Sequence, residues 1–166
     1  MDIIRDASRV ILDQTRFAGK TAVIVGSGLG GFTDALKEKR TLKYSKITHY
    51  PESTVSGHLG ELIVGRLNNS DILVASGRMH MYEGCSLDEV IFPIKVLKEC
   101  GIKNLIITNS AGSLKKENAP GSIMIIKGHI DFTFRDSIDD PKVITDTKFH
   151  SSELSSIAKS VSLKNG

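Results

Sequence analysis

Cysteine is nearly missing from this chain. Of 166 residues only Cys85 and Cys100 carry a thiol. Neither belongs to a Cys-x-x-Cys pair or a Cys/His cluster, so a disulfide framework and a zinc site are excluded as organising features. Also missing is any apolar run near the roughly 20 residues that a bilayer-spanning helix requires. The opening residues, MDIIRDASRVILDQTRF, alternate charge with apolar side chains and contain no apolar core of a secretion signal. No membrane partner and a reduced, cytoplasmic location are the expectations.

An excess of one charge is lacking too. Twenty-two Lys and Arg stand against 19 Asp and Glu, a formal charge of +3, and the basic residues are dispersed among the acids. A nucleic-acid partner is not expected, because it would call for a basic stripe that neutralises backbone phosphates. A small anion remains compatible, since one arginine and a few amides suffice to hold a phosphate. The 40% hydrophobic and 25% charged content is the ordinary balance of a globular protein. With no repeat, low-complexity tract or linker, residues 1–166 are expected to form a single α/β domain.

Local patterns supply the elements. Ile3, Ile4, Ala7, Val10 and Ile11 recur at helical spacing and predict a helix over 3–15. Thr21-Ala-Val-Ile-Val25 is a continuous apolar run of the kind seen in strands covered on both faces, and a short helix is expected from Phe32 to Lys39. Residues 61–67 and 71–76 flank Asn68-Asn69-Ser70 and predict a hairpin. Ser86 and Glu89 fit a capping box opening a helix that runs to Gly101, with a kink or a delayed start at Pro93. Leu105–Thr108 and Ile123–Ile126 are expected to be buried strands, with a loop over 109–122 between them. Residues 132–148 look irregular, and Ser152–Leu163 predicts a last helix with Leu154, Ile157, Ala158 and Val161 on one face.

Two clusters point to chemistry. Gly26-Ser-Gly-Leu-Gly-Gly31 follows a strand and precedes an expected helix, so its amides and the Ser27 hydroxyl can approach an anion without Cβ obstruction. It also matches the dinucleotide pattern Gly-x-Gly-x-x-Gly. That reading needs an acid at the end of a following apolar strand, and Glu52 follows His49-Tyr-Pro51 instead. The bland alternative is a tight turn with no ligand. Gly77-Arg-Met-His-Met-Tyr-Glu-Gly84 comes just past the strand at 71–76. There Arg78 can grip an oxyanion through two donors and His80 can add a third. Arg78 could instead pair with a surface acid, Glu83 could serve only to orient neighbours, and Cys85 reads as a packing residue.

Taken in order, GSGLGG (26–31), SGHLG (56–60), GRMHMYEG (77–84), ITNSAG (107–112) and GSIMII (121–126) followed by His129-Ile130 resemble the purine nucleoside phosphorylases of the trimeric class. The resemblance implies a mixed, mostly parallel twisted sheet flanked by helices, here short of its C-terminal part. It implies that Ser27, His58, Arg78 and His80, with the backbone amide of Ser110, bind the phosphate nucleophile, that His80 is catalytic, and that Tyr82 faces the ribose. Phosphate and a purine nucleoside such as inosine or guanosine are then the substrates. No metal or organic cofactor is implied, and a homotrimer is. The family's later half supplies base-binding residues that this sequence does not contain, so strands such as Leu105–Thr108 are expected to carry an exposed edge or face. Two rival readings follow: a non-catalytic phosphate- or nucleoside-binding remnant of the family, and a nicotinamide-dinucleotide domain.

Overall fold

Asp2 starts the first helix by accepting the Arg5 amide at 3.3 Å, the usual service of an N-cap carboxylate. A computed structural model describes residues 2–26, 28–51, 59–131, 142–144 and 150–165. They fall into two units, Met1–Gly112 and Ser113–Gly166. In the first unit, helix α1 (Ile3–Thr15) ends at Arg16, which takes up a left-handed conformation and returns its amide to the Leu12 carbonyl. α1 buries Ala7 and Ile11 as its periodicity requires. It also buries Ser8 and Thr15, whose hydroxyls are satisfied by carbonyls one turn back in the helix.

Five strands form one sheet: β1 (Thr21–Val25), β2 (Lys37–Lys43), β3 (Glu61–Leu67), β4 (Ser70–Ser76) and β5 (Asn104–Ile107), in the spatial order β2-β3-β4-β1-β5. β1 pairs in parallel with β4 and β5, while β2–β3 and β3–β4 are antiparallel. The sheet is therefore mixed, as expected, with its parallel ladders gathered around β1. The hairpin closes through Asn68-Asn69 alone, because Leu67 pairs with Ser70. Asn68 sits at φ 54, a conformation asparagine tolerates well.

Register sorts the apolar residues. Ala22 lies beside Leu73, Leu73 beside Val64, and Leu62 beside both Ala75 and Leu42, and all of these face one cluster with Ala7 and Ile11 of α1. Helix α2 (Leu87–Glu99) adds Phe92, Val96 and Leu97 to the same layer. Val23, Val25, Ile63, Ile72 and Val74 point the other way and pack with Leu36 and Phe32. β5 forms where a buried strand is expected over Leu105–Thr108, but its Ile106 and Ile107 remain 45% and 55% exposed, because an edge strand keeps an uncovered side.

α2 opens with the capping box: the Glu89 amide donates to the Ser86 hydroxyl, and the Ser86 amide donates to the Glu89 carboxylate. The helix is continuous from Leu87 through Pro93, so the delayed start does not occur. The missing Pro93 donor lies in the second turn, where the cap and the burial of Phe92 and Val96 outweigh one lost bond. Gly101, at φ 89, closes it as the sequence suggests. Ile102 and Gly101 donate to the Leu97 and Lys98 carbonyls, which is a Schellman close.

Three expectations are corrected. The helix over Phe32–Lys39 is a 3-10 turn at Gly30–Ala35, after which the chain straightens into β2. Leu36 drives this change, because its burial against Val74 and Ile63 commits the following residues to pair with β3. In the second unit, Ile123–Ile126 joins neither sheet, and Ile123 is 93% exposed. An apolar run becomes a strand only where a ladder receives its backbone, and none does among the described residues. Within 132–148, Lys142–Ile144 is a strand, β7, paired antiparallel with β6 (His129–Asp131). The remainder of that segment lies outside the described residues. Helix α3 (Ser152–Asn165) forms as expected, with the Ser151 hydroxyl accepting the Leu154 amide.

Candidate functional site

The ends of β1, β4 and β5 lie side by side because those strands are parallel, and each releases its chain at the same edge of the sheet. Gly26 follows β1, Gly77 and Arg78 follow β4, and Thr108 follows β5. Carboxyl ends of parallel strands are where α/β sheets hold ligands.

Arg78 is placed from two directions. Behind it, the buried Tyr44 hydroxyl donates to the Gly77 carbonyl at 2.8 Å. Tyr44 is itself wedged against the Tyr50 ring at 4.7 Å, and Tyr50 meets Phe92 edge-on. Burial pushes the pKa of both phenols far above its ordinary value, so they stay neutral. In front, Arg78 Nη1 donates to the Thr108 carbonyl at 2.6 Å and Nε donates to His80 Nε2 at 3.1 Å. Among the described residues no carboxylate lies within ion-pair distance of this guanidinium. A side chain at Gly26 would stand 3.8 Å from Nη1, which puts the glycine loop directly alongside the cation.

His80 is gripped as well. An arginine Nε always donates, so His80 Nε2 accepts and the ring proton sits on Nδ1, facing Glu83 Oε1 at 2.6 Å. The Glu83 side chain is only 4% exposed. Orienting a neighbour, the modest role open to it from sequence, is thus what Glu83 does. Tyr82 stacks on the His80 ring at 4.6 Å and is otherwise 77% exposed, so it presents a flat open face beside the histidine. Gly84, at φ 89, turns the chain away into the cap of α2.

The other site residues divide. Ser110 lies on the exposed loop after β5, on the same sheet edge as Arg78. Ser27 and His58 lie outside the described residues, as does Glu52. The dinucleotide reading fails on topology, since the glycine loop leads into a short 3-10 turn and then an edge strand, not into a crossover helix. Sequence reasoning missed Thr108 and Tyr44. Thr108 stood inside a quoted motif and its hydroxyl just past a strand was a usable signal, whereas nothing local marks Tyr44.

Comparison with known proteins agrees with this architecture. The phosphorylase superfamily model matches residues 20–166. Purine nucleoside phosphorylase of Mus musculus is 45% identical over 120 residues, which are 72% of this chain and 42% of that protein. Purine nucleoside phosphorylase 1 of Geobacillus stearothermophilus is 39% identical over 127 residues, covering 76% and 46%. The crystal structure of isoform 2 of purine nucleoside phosphorylase from Schistosoma mansoni, in complex with cytosine and ribose-1-phosphate, superposes with a TM-score of 0.72 at 36% identity, covering 79% of this chain and 46% of that one. The chain thus spans under half the length of these relatives. With the match running from the first strand to the last residue, the chain belongs to the phosphorylase superfamily and, within it, to the purine nucleoside phosphorylases.

Proposed function

We propose that this chain carries the phosphate site of a cytoplasmic, homotrimeric purine nucleoside phosphorylase. Phosphate attacks the anomeric carbon of inosine, guanosine or a deoxy analogue. The glycosidic bond breaks, its electrons leave with the purine, and ribose or deoxyribose 1-phosphate is released. The observation that carries the reading is Arg78: a guanidinium with no carboxylate within ion-pair distance among the described residues, fixed at the strand ends beside a glycine loop. A dianion there meets a preset fork of donors, and preset donors are where such catalysis gains most. Ser27, His58 and the Ser110 amide complete the phosphate shell in this proposal, and Tyr82 offers its ring to the ribose. Arriving phosphate competes for the Arg78 Nε–H, which frees His80 Nε2 to accept a hydrogen bond from a protonated phosphate oxygen while Glu83 holds the ring through Nδ1. Phosphate is a substrate, and neither a metal nor an organic cofactor takes part.

The test is release of hypoxanthine from inosine. Phosphate-dependent release that vanishes in Arg78→Ala is the expected result. The short span against its relatives favours one rival, a binding remnant without chemistry. That rival predicts no release while phosphate still raises the melting temperature of the wild type but not of Arg78→Ala. Release that survives Arg78→Ala, or the absence of any phosphate effect, overturns both.

A further inference from the structure

Three strand ends must keep a common geometry if amides from one and a guanidinium from another are to meet the same anion. Among the described residues, no hydrogen bond joins the Gly26 loop directly to Arg78. Both are instead tied to Thr108. Its hydroxyl accepts the Gly26 amide at 3.1 Å and donates to the Ile24 carbonyl at 3.1 Å. Its amide donates to that same Ile24 carbonyl at 3.0 Å, and its carbonyl accepts Arg78 Nη1 at 2.6 Å. Resting on the proposed phosphate reading, we propose that Thr108 is a positioning residue whose hydroxyl sets the distance between the glycine-loop amides and the Arg78 guanidinium.

The chemistry requires a hydroxyl. Only a group that accepts and donates at once can take the Gly26 amide while bonding the Ile24 carbonyl. Valine has the same shape without either function and leaves the Gly26 amide, the first donor of the loop, unsatisfied. A partly buried amide without a partner moves to find one, which carries the loop away from Arg78. Because the Thr108 carbonyl and amide survive the substitution, Arg78 keeps its anchor and only the spacing changes. Thr108 touches no reacting atom in this scheme, so its effect is expected on phosphate affinity and not on the bond-breaking step.

Titration calorimetry with inorganic phosphate on wild type, Thr108→Val, Thr108→Ser and Arg78→Ala, paired with melting curves in phosphate-free buffer, tests this. We expect Thr108→Val to weaken phosphate binding about tenfold with a near-wild-type melting temperature, Thr108→Ser to bind as wild type, and Arg78→Ala to lose binding. Wild-type affinity in Thr108→Val, or a tenfold loss in Thr108→Ser as well, overturns the role of the hydroxyl while Arg78→Ala still upholds the phosphate site. Should Thr108→Val fail to fold, Thr108→Ser alone decides by the same criterion. Undetectable binding in the wild type overturns the phosphate site and the inference together.

Discussion

Thr21-Ala-Val-Ile-Val25 and Ser122-Ile-Met-Ile-Ile126 are nearly the same phrase in sequence, a small hydroxyl residue followed by four apolar ones. In the structure they meet opposite ends. β1 lies between two parallel neighbours with Ala22, Ile24 and Val25 at 5% exposure or less. Ile123, by contrast, is 93% exposed and its segment joins no ladder among the described residues. Local hydrophobicity decides that a segment is able to be a strand. Whether it becomes one depends on an edge to pair with and layers to cover it, and both come from distant sequence.

The comparison breaks most sharply by truncation. Leu73→Ala, at a fully buried position beside Ala22, is expected to cost about 2–5 kcal/mol, whereas Ile123→Ala is expected to stay within about 0.5 kcal/mol. Chemical denaturation of the two variants measures both, and equal losses would erase the contrast. Hydrogen exchange sharpens it without mutation: β1 and β4 amides should exchange slowest, and those of 122–126 among the fastest.

Tyr44→Phe is next in size. It strips the Gly77 carbonyl of a buried donor, for an expected loss of about 1–3 kcal/mol together with weaker phosphate protection. Thermal melts with and without phosphate separate the two effects, and unchanged protection would show that Arg78 does not need this support. Ser86→Ala removes the α2 cap and should cost about 1 kcal/mol. The hydrogen bonds from Ser86 hold the Glu89 carboxyl below its ordinary pKa, so the stability it contributes is full above the ordinary carboxylate range. It is lost as pH falls through the lowered value, and Glu89→Gln should flatten the acid limb of a stability–pH curve.

The smallest effect lies at high pH. Burial first, and the Glu99 carboxylate second, push the Cys100 thiol up from 9.0 to about 11. Its neutral form therefore stabilises the helix layer fully below pH 9.0, and that contribution disappears as pH rises through about 11. Cys100→Ala should lessen the alkaline slope in urea melts, and an unaltered slope would place the alkaline loss elsewhere.

Legibility followed the range of the interactions. α1, the hairpin, the capping box and the Gly101 stop were readable because each is decided within a few residues. β2 was not, since KEKRTLK has Leu42 as its lone buried side chain. It is an edge strand held by its ladder to β3 and by lysines turned to water, a pattern that hydrophobic periodicity cannot reveal. The same rule separates the site. Arg78, His80, Tyr82 and Glu83 lie within six consecutive residues and announce themselves. Thr108 and Tyr44 reach Arg78 and Gly77 across 30 and 33 residues, and their carbonyl and hydroxyl roles exist only once the sheet has formed.

The position of β1 also sets a timetable. Thr21 aligns with Ile72 on one side and with Asn104 on the other, so this interior strand emerges from the ribosome long before either neighbour exists. The β3–β4 hairpin closes over two residues and is ready first, and β1 must be recruited to it across a wide loop whose closure slows the search. Until then TAVIV is an apolar segment with two unpaired edges in a growing chain. The step from hairpin to five-stranded sheet is therefore where a chaperone has the most to offer during synthesis.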